Sequence, residues 1–232
     1  MGSRTPKRIL IAGGVAGGMS CATRLRRLDE SASITVFEKG PYVSFANCGI
    51  PYGISEVIPD RESLILNTPE GFKRRFNLDV VVNAEVVRVD RDRKVIVVKH
   101  KGEAKGEEEN QKEKEKEWAY DVLVLAQGAE PVKLNVPGAQ GEQVFHLTTI
   151  EDMDGVNGFI EKHSVKQACV VGGGFIGLEA AENLKLRGLE VTLLEWAGQV
   201  LTSYDRDMVG TFPPSALSLS PFHSWVGETG TD

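Results

Sequence analysis

Three features of the 232-residue chain have the residue types and spacing to do chemistry: one cysteine in a turn-rich segment, and two glycine-rich turns that each precede an acid. Cys48 lies in Ser44-Phe45-Ala46-Asn47-Cys48-Gly49-Ile50-Pro51-Tyr52, a run of turn formers and polar groups. Cys21 falls on a helix face and Cys169 in an apolar strand, where thiols pack as small inert hydrophobes. If Asn47 caps a helix with Pro51 in its first turn, Cys48 faces a helix N-terminus, which favours the thiolate. Cys48 is therefore the expected redox thiol, with Ser44 and Asn47 beside it. A dithiol centre of the C-x-x-x-x-C kind would place a second cysteine where this chain has Gly53. Oxidised Cys48 is then expected as a mixed disulfide with a small thiol, or as a sulfenic acid. No two cysteines stand at metal-ligand spacing, so no metal site is expected, and a reducing, cytoplasmic setting fits best.

The first glycine turn is Gly13-Gly14-Val15-Ala16-Gly17-Gly18, with Glu38, followed by Lys39, 25 positions after Gly13. The second is Gly172-Gly173-Gly174-Phe175-Ile176-Gly177, with Glu195 23 positions after Gly172. Such a turn aims backbone N–H groups and a helix dipole at phosphate. An acid about 20 residues on accepts from a ribose diol. The second turn is a full G-x-G-x-x-G, whereas the first carries Val15 in place of the middle glycine, which narrows backbone approach to a pyrophosphate. One glycine turn by itself is weak evidence, since a tight turn explains it as well. Two copies, each between strand and helix and each followed by an acid, indicate two dinucleotides, and hence electron transfer between a flavin and a nicotinamide. Glu195 would repel a 2′-phosphate and no arginine follows until Arg206, so NADH is favoured over NADPH.

The elements that must position these residues read as repeated βαβ units. Ile9–Ala12 is a short apolar strand, a helix runs to about Leu28 with Met19, Ala22, Leu25 and Leu28 on one side, and Ile34–Phe37 is the next strand. In the second unit Ala168–Val171 is a strand, Ile176, Ala180 and Leu184 mark a helix ended by Gly188, and Val191–Leu194 is a strand. Between them Val80–Val89 and Lys94–Val98 read as a β-hairpin, and Val122–Ala126 as one more buried strand. Lys101–Glu117, with five Lys against seven Glu, reads as a solvated hairpin loop. The expected fold is α/β, with Rossmann-like nucleotide-binding domains and a β-hairpin insertion. Residues 1–150 form the first domain, 151–207 a partial second one, and 208–232 an aberrant or disordered tail, because Pro213 and Pro214 forbid helix or central strand. A two-stranded second unit would be incomplete and would leave Val170, Val191 and Leu193 partly exposed.

A net charge of −6 argues against nucleic acid or an anionic membrane as partner. No apolar run approaches the ~20 residues that span a bilayer. The basic residues Arg4, Lys7 and Arg8 before Ile9–Met19 crudely match a secretory signal, but the glycines and alanines there suit a strand and turn better.

The strings IAGGVAGG, SFANCGIPYGI and VVGGGFIGLEAAENL together resemble coenzyme A-disulfide reductases, single-cysteine members of the pyridine nucleotide–disulfide oxidoreductases, from about Lys7 to Met208. That resemblance implies Cys48 as the redox thiol, Gln127-Gly128-Ala129 as a second FAD-contacting turn, and electrons passing from NAD(P)H through FAD to a Cys48–CoA mixed disulfide. The resemblance also implies that full-length relatives are homodimers through a C-terminal dimerisation domain, which this chain is expected to lack. The other readings are an NADH oxidase or peroxidase using a Cys48 sulfenic acid, and a non-catalytic nucleotide-binding fragment.

Overall fold

The apolar quartet that begins the first βαβ unit becomes a parallel strand covered on both faces, whereas the quartet of the second unit forms an outer strand with exposed and half-buried residues. In the computed structural model, which describes residues 5–101, 115–210 and 223–226, the elements run in chain order as β1 (Arg8–Ala12), α1 (Ala16–Leu28), β2 (Ser33–Phe37), α2 (Ile50–Ile54), α3 (Pro69–Phe76), β3 (Asp79–Val81), β4 (Ala84–Asp90), β5 (Val95–His100), β6 (Glu115–Ala119), β7 (Val122–Leu125), α4 (Ile150–His163), β8 (Gln167–Val171), α5 (Phe175–Leu186), β9 (Glu190–Glu195), α6 (Arg206–Gly210) and β10 (His223–Val226). They form two compact units that interleave along the chain: 1–46 with 65–130, and 47–64 with 131–232. The short segment holding Cys48 thus belongs with the second glycine turn.

In the first unit a parallel sheet of order β3-β2-β1-β7 has two covers. Ile9, Ile11, Ile34 and Val36 point to one face and pack with Met19 and Ala22 of α1 and Phe72 of α3. Leu10 and Phe37 point to the other and meet Ala84, Ile96 and Val98 of a three-stranded antiparallel sheet, β4-β5-β6, together with Tyr120 just past β6. Each buried Ile, Leu, Val, Phe or Met among them contributes roughly 1.5–3 kcal/mol of transfer free energy. The expected hairpin is corrected in two ways. Its first residues, Val80 and Val81, leave it to pair with β2 as part of β3, and its charged loop ends in a third strand, because Glu115–Ala119 pairs with β5. Lys116 and Glu117 sit on an edge strand, where charge deters further pairing. Residues 102–114 lie outside the described part. The strand expected at Val122–Ala126 is present as β7, but as an edge with Val122 and Leu125 exposed rather than buried. Leu28, placed on the buried side of α1, is exposed as well.

Arg26 ties the end of α1 to its surroundings. Its guanidinium donates to five backbone carbonyls, those of Phe76 (3.0 Å), Asn77 (2.9 Å), Asp29 (3.3 Å), Glu30 (2.8 Å) and Ala32 (2.8 Å). These are chain ends that no helix or strand satisfies. At the start of β1, Asp121 accepts from the Arg8 side chain and backbone N–H, which hold its carboxyl down at about 2.

In the second unit β8, β9 and β10 are parallel, in the order β10-β9-β8. This overturns the expected two-stranded piece: the third strand comes from His223–Val226, inside the stretch read as an aberrant tail. Val191 and Leu193 are buried, against expectation, because the middle strand is flanked on both sides and packs on α5. α4, which the periodicity did not reveal, starts on a capping box. Thr149 accepts from the Asp152 N–H at 3.1 Å, and the Asp152 carboxylate accepts from the N–H groups of Thr148 and Thr149. Burial would raise the Asp152 pKa, but the hydrogen bonds from Thr148 and Thr149 prevail and lower it. No helix among the described residues is long and apolar enough to cross a membrane.

Candidate functional site

The first glycine turn is shaped by close approaches. Gly13 has φ +105°, which L side chains rarely adopt, and its N–H donates to the Phe37 carbonyl at 2.8 Å. A Cβ on Gly18 would collide with the Gly13 carbonyl, so only glycine lets α1 begin this near β1. Glu38, buried at the tip of β2, accepts from the Gly14 N–H (2.7 Å) and the Gly40 N–H (2.9 Å). A carboxylate offers about four lone-pair sites, so acceptor capacity remains for a diol. Val15 is the N-cap of α1 without a side-chain bond, and Ala16, Gly17 and Gly18 open the helix. An α-helix leaves its first N–H groups without intrahelical partners.

A cleft of about 370 Å3 opens over the carboxyl ends of β1, β2 and β7, lined by Gly13, Glu38, Lys39, Gln127, Gly128 and Glu130 among others. β1 has the next strand, β2, on one side and the sequence-distant β7 on the other, so the strand order reverses here, and ligands of open α/β sheets bind at that reversal. Lys39 pairs with Glu130 at 3.2 Å across this mouth, both groups well exposed.

The second turn repeats the first. Gly172 has φ +109° and donates to the Leu194 carbonyl at 2.7 Å. A Cβ on Gly177 would strike the Gly172 carbonyl. Glu195 accepts from Ala197 (2.8 Å) and Gly173 (2.5 Å), which hold its carboxyl below the usual range. Gly174, the N-cap of α5, differs: a Cβ there would meet nothing within 4 Å among the described residues. Phe175 and Ile176 are exposed on the first turn of α5, so Ile176 does not share the buried stripe of Ala180 and Leu184. Phe175 meets Tyr204 edge to face at 5.9 Å.

Cys48 is exposed, in a single 3-10 turn (Asn47–Gly49) that leads into α2. Pro51 does sit in the first turn of α2, but the cap is Gly49, without a side-chain bond, rather than Asn47. Ser44 belongs to the first unit, in the left-handed region at φ 50°. Its N–H donates to Gly14 (3.0 Å) and its carbonyl accepts from Leu66 (3.0 Å), so its backbone serves as a turn. Cys169 is not the buried core thiol expected. It is exposed on the outer strand β8, although the desolvation it does suffer pushes its thiol up. Cys21 is half-buried on α1.

Sequence reasoning missed what holds α2. Asn183, fully buried on α5, accepts from Ser55 Oγ at 2.5 Å and donates to the Glu179 carbonyl at 2.8 Å. Arg187 donates to the Ile54 carbonyl (2.8 Å) and Asn157 Oδ1 (2.7 Å). Polar residues late in an otherwise apolar helix were the available signal. Gly53, in place of a second cysteine, is buried against α4, where a Cβ would run into the Met153 sulfur. Among the described residues no cluster of His, Cys, Asp or Glu could hold a metal.

Fold and turns define an α/β nucleotide-binding protein of the Rossmann kind. The chain belongs to the pyridine nucleotide-disulphide oxidoreductase family, whose profile matches residues 7–211. It is 40% identical over 203 residues to the coenzyme A disulfide reductase of Staphylococcus haemolyticus (strain JCSC1435), spanning 87% of this chain and 43% of that one. Among solved structures it resembles the reduced Bacillus anthracis CoADR-RHD (39% identity, TM-score 0.86, 95% of this chain and 38% of that one). It also resembles a NAD-dependent persulfide reductase from A. fulgidus (33%, TM-score 0.84, 94% and 39%). The chain spans less than half the length of the curated relatives it matches.

Proposed function

We propose that this chain is the nucleotide-binding and thiol-bearing part of an FAD-dependent oxidoreductase that reduces a small disulfide, coenzyme A disulfide in the first instance, at the expense of NAD(P)H. The observation that carries the reading is Gly174. Its own packing does not require glycine, whereas a pyrophosphate resting on the start of α5 does. In the first unit the glycine approach at Gly18, the carboxylate of Glu38 and the cleft over β1 suit the adenosine end of a flavin dinucleotide. There the Gly13–Gly18 turn would hold phosphate, Glu38 the ribose, and Lys39, Gln127 and Gly128 the rim. In the second, Gly172–Gly177 and Glu195 would hold the nicotinamide dinucleotide, with NADH preferred. Domain roles follow: residues 1–150 carry most of the flavin site and 151–207 part of the pyridine-nucleotide site, in a cytoplasmic protein.

A bound flavin supplies two electrons, taken from the reduced nicotinamide, to the sulfur centre. The Cys48 thiolate attacks one sulfur of the disulfide RSSR, forming Cys48–S–S–R and releasing RS⁻. Two electrons and a proton then cleave that bond, returning the thiolate and RSH. Gly53 takes the place of the partner in a C-x-x-x-x-C disulfide, so in this reading the substrate supplies the second sulfur.

The test is a spectrum of the purified chain with added FAD, before and after anaerobic NADH. A bound, NADH-bleached flavin supports the proposal. A chain that binds neither cofactor would overturn it in favour of a non-catalytic fragment, and oxygen or peroxide consumption without disulfide turnover would favour the sulfenic acid reading.

A further inference from the structure

The two cradles correspond residue by residue beyond the motifs that define them. Glu38, Gly40, Val43 and Ser44 stand 157 positions before Glu195, Ala197, Val200 and Leu201. In each cradle the acid bonds the second glycine and the residue two places on. In each, the valine is the side chain nearest a Cβ on that glycine. Ser44 and Leu201 both take left-handed backbone, φ 50° and 51°, and both donate to the glycine carbonyl, at 3.0 and 2.9 Å. The same register sets Trp196 against Lys39, and Lys39 lines the first cleft.

Trp196 is 87% exposed. An indole commonly buries 150–250 Å2, and this one sits one residue past the acid that would take a ribose. A flat, uncharged ring there suits a purine face and offers nothing to a phosphate. We infer that Trp196 is the base-stacking residue of the second cradle, taking the adenine of the nicotinamide dinucleotide in place of the cation that the first cradle presents. The inference rests on the reading of Gly172–Glu195 as a dinucleotide site.

Calorimetric titration of the full chain with NADH, ADP-ribose and nicotinamide mononucleotide tests it, with FAD binding and circular dichroism as checks on folding. Trp196→Leu is expected to raise Kd for NADH and ADP-ribose alike by roughly 5- to 100-fold, the worth of one base–aromatic stack. It should leave the mononucleotide unchanged, and Trp196→Phe should recover most of the loss. If Trp196→Leu binds NADH as the parent does, or if Phe fails to rescue, the stacking role is refuted while the cradle stands. If the parent binds FAD but no pyridine dinucleotide, the cradle reading falls, and this inference with it.

Discussion

Gly53 gives the sharpest structural test, because one methyl group decides whether α2 can lie on α4. In Gly53→Ala the new Cβ falls on the Met153 sulfur, and Met153 is 2% exposed. Overpacking a filled core costs typically 1–3 kcal/mol. The thioether can yield partway, and alanine regains roughly 0.5–1 kcal/mol over glycine within a helix. The net expected loss is about 1–2 kcal/mol, read as a fall in urea midpoint at unchanged m-value. Met153→Ala alone should cost about 2–5 kcal/mol as a cavity. In that background Gly53→Ala should become neutral or stabilising, giving a coupling of about 2 kcal/mol in the double-mutant cycle. If Gly53→Ala is silent in the parent, or equally costly without Met153, then α4 does not exclude a side chain at position 53.

Three further results are expected. Arg26→Met should lower stability by about 2–4 kcal/mol in urea titration, since five carbonyls lose a charged donor, and Arg26→Lys should recover little because an ammonium cannot span them. Asp121 has a depressed pKa, so its contribution is present above pH ~4 and fades as the pH falls toward 2; Asp121→Asn should flatten that limb of a Tm-against-pH curve by lowering Tm above pH ~4, pH 7 included, while the acid end changes little. Glu195→Ala should narrow the ratio of Kd for NADPH to Kd for NADH, measured by titration, because the carboxylate that repels a 2′-phosphate is gone.

Local rules made much of this structure legible. β1 and β8 announce themselves as apolar quartets before glycine turns, β2 and β9 as short strands running into an acid, and Gly188, at φ +92°, ends α5 as its type requires. The cradles were readable because Gly18 and Gly177 answer to the carbonyls of Gly13 and Gly172, a few residues away in the same turn. Non-local facts were not readable. That Val80 belongs with β2 and Trp118 with β5 depends on which strand lies opposite, a choice alternation does not encode. Cys169 looked buried because its neighbours are apolar, yet β8 is an outer strand. α4 was missed although Thr149 and Asp152 spell its cap, since Gly155 and Gly158 dilute its helical pattern.

The most direct measurement of the central claim is a peptide map of the FAD-supplemented chain after coenzyme A disulfide, before and after anaerobic NADH. The expected result is one coenzyme A mixed disulfide on Cys48, none on Cys21 or Cys169, and its loss when NADH is added. An adduct found mainly on the exposed Cys169, or one on Cys48 that NADH leaves in place, would contradict it.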